Sequence, residues 1–124
     1  MITPLAGKRI LVVEDEMAIM IMLVGALEEL GCEAVFTAST VIQACDILAA
    51  NLFDAAMLDI NLSGTTSYPV AAVLQGRGIP FIFSTGYQVE RIPERYKKHI
   101  ILTKPYPMGE LARAFTALLG PAPR

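Results

Sequence analysis

An α/β fold built on a doubly wound, five-stranded parallel sheet is predicted by three observations. Short, uncharged apolar runs alternate with helical patterns along the chain. The runs show no polar face, as expected of strands covered on both sides by crossover helices. About five such units fit within 124 residues, which is one domain's worth of chain and too short for an eight-stranded barrel.

The elements follow in order. Ile10 to Val13 is β-branched, uncharged and stopped by acids, so it reads as a buried strand. Residues 16–30 read as a helix closed by Gly31, a residue suited to the left-handed turn after a helix. Ala34-Val35-Phe36 is a second short strand, and Thr40-Val41-Ile42-Gln43 fits a capping box that opens a helix to about Asn51. Ala55 to Leu58 forms the third strand, ending at Asp59, and Pro69 to Gln75 a short helix broken by Gly76-Arg77-Gly78. Phe81 to Ser84 and Ile100 to Thr103 are the fourth and fifth strands. Only fourteen residues, 86–99, join them, with Pro93 among them, so the fourth helix is expected to be one or two turns starting at that proline. Met108 to Leu119 is the last helix, with Leu111, Phe115 and Leu118 along one stripe. Residues 1–7 and 120–124 read as loose ends, leaving a single-domain core of about 8–119.

Composition narrows the function classes. Hydrophobic residues make up 54% and charged residues 18% of the chain, against about 25% charged in an average domain, which excludes disorder. Ten basic and twelve acidic residues give a net charge of −2, so no direct nucleic-acid partner and no anionic lipid surface is expected. The longest wholly apolar run, Met17 to Leu27, has eleven residues, short of the roughly 20 that span a membrane. The first residues lack the order of a signal peptide, and a cytoplasmic protein is expected. Cys32 and Cys45 have no zinc-like spacing and read as small buried hydrophobes. His99 is the only histidine, which leaves nothing to assemble a Ser/His/Asp or Cys/His nucleophile.

Open α/β sheets place function at the carboxyl ends of their strands. There the chain carries Glu14, Asp15 and Glu16 after strand one, Asp59 and Asn61 after strand three, Ser84 and Thr85 after strand four, and Thr103 and Lys104 after strand five. Taken singly, each has a plain reading: acids favour helix starts, Asp59 suits a turn, Thr85 a helix cap, Lys104-Pro105 a strand exit. Together they make a chemical set. Carboxylates held within a few ångströms raise each other's pKa, and a hard cation such as Mg2+, which takes oxygen ligands, relieves that repulsion. A carboxylate nucleophile, Mg2+, an ammonium and a hydroxyl can together stabilise a phosphoryl group in transfer.

With these residues in place, the sequence resembles the receiver domain of bacterial two-component response regulators. The resemblance is carried by RILVVEDE (9–16), FDAAMLDINL (53–62), IPFIFSTGY (79–87) and LTKPY (102–106). Asp15 to Asp59 is 44 positions, Asp59 to Thr85 is 26 and Thr85 to Lys104 is 19. The resemblance implies a flavodoxin-like strand order of 2-1-3-4-5. It implies that Asp59 takes a phosphoryl group from a sensor histidine kinase or a histidine phosphotransfer protein. Asp15 is then the direct Mg2+ carboxylate, Glu14 an acid acting through water, and the Asn61 backbone carbonyl the third protein ligand. Thr85 turns its hydroxyl toward the phosphoryl group, and Lys104 pairs with one of its oxygens. The stretch Pro80 to Tyr87 is similar to a Phe-Ala-Thr-Gly-X-Tyr subgroup of receivers, found as stand-alone regulators or attached to sensor kinases of the HWE type.

Some positions depart from the pattern. Ser63 and Ser67 stand where most receivers carry Pro and Gly, which questions the usual loop after strand three. Ile101 stands where a switch aromatic is usual, so the switch is expected to run through Gly86, Tyr87 and the segment to His99. Two rival readings are an aspartate-nucleophile phosphatase of the haloacid dehalogenase type and a receiver that binds without being phosphorylated. The first needs a second Asp two residues after the nucleophile, where this chain has Asn61. Five residues follow the last helix, so no DNA-binding output is expected. On the 16–30 helix, Met20, Leu23, Leu27 and Leu30 face the sheet, and Met17, Ala18, Ile21 and Gly25 fall opposite. That apolar outer face is expected to dock the phosphohistidine helices of the kinase or a second copy of the domain in a homodimer.

Overall fold

A computed structural model of the chain describes residues 5–86 and 91–120. Strands β1 (Arg9–Val13), β2 (Ala34–Ala38) and β3 (Ala55–Asp59) alternate with helices α1 (Met17–Glu29) and α2 (Val41–Ala50). A small hairpin follows, β4 (Asn61–Leu62) with β5 (Thr65–Thr66), and then α3 (Tyr68–Gly76), β6 (Phe81–Thr85), β7 (Ile101–Thr103) and α4 (Met108–Leu119). The five long strands form one parallel sheet in the order β2-β1-β3-β6-β7, which is 2-1-3-4-5 when the hairpin is left out. The flavodoxin-like order is thus the observed one.

Alternation along the strands divides the core in two. Ile10, Val12, Ala55, Met57 and Ile82 pack toward Met20, Leu23 and Leu27 of α1 and Leu111 and Phe115 of α4. Leu11, Val13, Ala56, Leu58, Phe81 and Phe83 pack toward α2 and α3 on the other face. Burial on both faces explains why these strands carry no polar alternation.

The ends of the helices follow their local chemistry. The α1 terminus is a Schellman turn: Gly31, at φ 97°, donates to the Glu28 carbonyl and Cys32 to that of Leu27. At α2, Thr40 Oγ1 accepts from the Gln43 amide at 3.1 Å. The Gln43 side chain reaches back one residue further than a capping box requires, to the Ser39 amide at 2.8 Å.

Two expectations are corrected. Residues 5–7 are not loose: Leu5 is buried in the α1/α4 core, and the Gly7 amide bonds the Gly31 carbonyl at 3.1 Å. Residues 1–4 and 121–124 lie outside the described residues. Cys32 and Cys45 are half-buried at the edges of the two cores rather than inside them. The short connection expected in place of a full fourth helix is borne out: it is a single 3-10 turn, Glu94–Tyr96, begun at Pro93. Tyr96 anchors it: the ring is 2% exposed, stacks on Tyr68 at 5.0 Å and meets Phe83 edge-on at 5.4 Å. Among the described residues no helix is long and apolar enough to cross a membrane.

Candidate functional site

The parallel register lines up strand ends from four elements. Asp59 pairs with Ser84 and Thr85 with Thr103 across neighbouring strands, and the Lys104 amide donates to the Thr85 carbonyl at 2.9 Å. The acids after β1 lie alongside, because β1 is the other neighbour of β3. A cleft of about 420 Å³ opens there, lined by Asp15, Glu16, Asp59, Asn61, Ser63, Gly86 and Lys104.

Lys104 is the hub. Its Nζ donates to Glu14 Oε1 at 2.9 Å and to Asp59 Oδ2 at 3.1 Å, and lies 3.7 Å from Glu16 Oε1. Glu14 is only 1% exposed, and its Oε2 also accepts from the Glu16 amide at 3.1 Å. That second bond satisfies an amide at the start of α1, so the plain helix-start reading of these acids holds alongside the chemical one. Asp59 is 6% exposed, and its Oδ1 accepts from the Asn61 amide at 3.4 Å.

The charges are unbalanced in an informative way. Burial, then the Glu14 carboxylate beside it, push the Asp59 carboxyl up to about 7, against the pull of Lys104. Burial acts to lower the Lys104 pKa, but its bonds to Glu14 and Asp59 outweigh that and leave it raised. Glu14, Asp15 and Asp59 each offer a carboxylate oxygen, and these atoms lie within 4.8 Å of one another. One ammonium faces three carboxylates of hard oxygen donors, the setting that suits Mg2+.

The residues singled out in the sequence therefore meet. Asp15, Asp59, Asn61 and Lys104 line the cleft, and the buried Glu14 is bonded to Lys104. Thr85 is fully buried at the end of β6 and does not line the cleft itself. Tyr87 lies outside the described residues.

Glu16, one of the strand-end acids, joins the site, and Ser63 enters it without having been marked in the sequence. Glu16 reaches toward Lys104, and Ser63 donates its hydroxyl to Asp15 Oδ2. Ser63 arrives there because the loop after β3 is a hairpin. Its two turn residues, Ser63 and Gly64, have φ of 53° and 89°, the signs of a type I′ turn. Asn61 Oδ1 accepts from the Gly64 amide at 3.0 Å and braces that turn. The absent Pro and Gly are explained: this connection is a different one, closed by Ser67, whose amide bonds the Ile60 carbonyl at 2.9 Å.

Comparison with known proteins agrees with this geometry. The family model described as the response regulator receiver domain matches residues 10–116. Among solved structures, SdrG from Sphingomonas melonis Fr1 is 41% identical with a TM-score of 0.80, the match covering 94% of this chain and 98% of that one. TrrA from Thermotoga maritima, solved in complex with Mg2+-BeF, is 26% identical with a TM-score of 0.77, over 89% of this chain and 97% of that one. The receiver domain of the PhyR response regulator from Erythrobacter litoralis shares the fold, with a TM-score of 0.82 at 24% identity, over 96% and 98% of the two chains. A comparison with curated proteins gives no match.

Proposed function

This chain belongs to the response regulator receiver domain family, and on that premise we propose that Asp59 accepts a phosphoryl group from a sensor histidine kinase or histidine phosphotransfer protein in a Mg2+-dependent reaction. One observation carries the reading: a nearly buried Asp59 carboxylate held 3.1 Å from the Lys104 ammonium, at the floor of a cleft shared with Asp15 and Asn61.

An Asp59 oxygen attacks phosphorus, and the phosphorus–nitrogen bond of the phosphohistidine breaks. Its electron pair returns to the imidazole, and an acyl phosphate remains on Asp59. Glu14, Asp15, Asp59 and the Asn61 carbonyl would hold Mg2+, which supplies positive charge to the phosphoryl oxygens when bound. Lys104 already sits on the Asp59 carboxylate and exchanges that partner for a phosphoryl oxygen. Thr85 supplies a neutral donor at the end of β6. TrrA, solved with Mg2+-BeF, supports this use of the fold. The phosphatase reading finds no support, since Asn61 offers an amide where that chemistry needs a second acid. The reading places the chain in the cytoplasm, within the Phe-Ala-Thr-Gly-X-Tyr subgroup.

With Ile101 half-buried and aliphatic, the aromatic contact beside β6 belongs to Tyr96. Phosphorylation then acts through residues 84–99, whose Tyr96 ring touches both Tyr68 and Phe83. Backbone NMR shifts with and without beryllofluoride are expected to change most across that span. Largest changes in α2 would refute this route.

The kinase docks on α1, whose outer face is apolar: Met17 is 71% and Ile21 65% exposed. Contacts with partner helices depend on such anchors. The test is transfer of radiolabel from the autophosphorylated cognate kinase, which is expected to place one label on Asp59. Ile21→Glu is expected to slow that transfer on the order of tenfold, as for loss of about 1.4 kcal/mol of binding. Its labelling by acetyl phosphate is expected to be unchanged. Normal transfer by the folded variant would exclude this face.

A further inference from the structure

Ser63 occupies an unusual place. It stands at the first turn position of the β4–β5 hairpin with φ 53°, a conformation that favours Gly, Asn or Asp over other residues. Its hydroxyl donates to Asp15 Oδ2, across 48 positions of sequence, and it lines the cleft. A residue poorly suited to its turn thus spends its one donor on a carboxylate of the acidic cluster.

We propose that Ser63 is a positioning residue for the metal site: by holding Asp15 Oδ2, it directs the other Asp15 oxygen toward the cation. This rests on the Mg2+-dependent reading above. Asp15 follows β1 in a short loop and is half-buried, and its carboxylate accepts the Ser63 hydroxyl. Outer partners that orient a ligating carboxylate commonly change metal affinity about 10–100-fold when removed. The hairpin that replaces the usual loop would therefore carry a partner for the Asp15 carboxylate into the site, with Asn61 bracing the turn through Gly64.

The test is calorimetric titration of Mg2+ into the wild type, Ser63→Gly and Asp15→Asn. Gly suits a type I′ turn, so Ser63→Gly keeps the hairpin and removes the hydroxyl together with its Cβ. Its dissociation constant is expected to rise about tenfold, with a melting temperature in EDTA close to that of the wild type. Acetyl phosphate labelling of Ser63→Gly is expected to need more Mg2+ but to reach the wild-type rate at saturation. A rise of fivefold or more supports the proposal. A smaller rise, or tighter binding, overturns it. If the wild type bound no Mg2+, or Asp15→Asn bound it equally well, the failure would lie in the Mg2+ reading itself.

Discussion

Incubation with acetyl phosphate and Mg2+ is expected to add one phosphoryl group to the wild-type chain, and none to Asp59→Asn. A small donor needs no kinase docking face, so the result reports on the cleft alone. The Asn side chain keeps the shape of Asp59 and an oxygen for Lys104, whose Nζ lies 3.1 Å from Oδ2. What it removes is the anionic nucleophile, because an amide does not form the acyl phosphate. Excess EDTA is expected to abolish labelling of the wild type too, since one Lys104 ammonium is left against the Glu14, Asp15 and Asp59 carboxylates. Intact-mass measurement reads all three outcomes. Equal labelling of the Asn variant would sink the assignment of Asp59. Turnover of phosphomonoesters by the wild type would favour the phosphatase reading instead.

The sheet was legible because its strands are buried on both faces. Ile10 to Val13, Ala55 to Leu58 and Phe81 to Phe83 have no exposed side to break their apolar runs. The site was legible for a related reason: in a parallel sheet every strand's carboxyl end lies on one edge, so Asp15, Asp59 and Lys104 had to converge. The hairpin was not. Two-residue strands carry no periodicity, and Ser63-Gly64 was its sole signal, a dipeptide that elsewhere marks an ordinary loop. The bond from Ser63 to Asp15 depends on that turn and could not be read before it. Tyr96 was hidden differently. It stands among Glu94, Arg95, Lys97 and Lys98, a run that reads as exposed. Its burial comes from Tyr68 and Phe83, which only the tertiary fold brings to it. Leu5 was missed for the same reason, since one apolar residue near a terminus shows no pattern of its own.

Removing the charge of Lys104 is expected to destabilise the metal-free protein in a pH-dependent way. Lys104→Met keeps the aliphatic stem and leaves Glu14 and Asp59, 1% and 6% exposed, without their shared cation. Breaking a buried pair from one side typically costs about 3–5 kcal/mol. The pH dependence comes from Asp59. Its carboxyl is pushed up to about 7 by burial and then by Glu14, against about 3.9 in an unfolded chain. The native state therefore holds more protons between those values, and stability falls as pH rises through about 4 to 7. Lys104 offsets part of that fall while it is present. Without it, the fall is expected to deepen, because the ionised Asp59 faces Glu14 with nothing between them. Urea denaturation in EDTA is expected to show the full loss at pH 8 and a smaller one at pH 5, where Asp59 is neutral and one fewer charge is unpaired. Adding Mg2+ at pH 8 is expected to restore more stability to Lys104→Met than to the wild type, since the ion replaces the missing positive charge. Asp59→Asn added to Lys104→Met separates charge from packing: it is expected to recover much of the loss at pH 8, whereas lost packing around the lysine stem would leave the double variant as unstable as Lys104→Met. A Lys104→Met protein as stable as the wild type at pH 8 would show that the ammonium does not hold these carboxylates together.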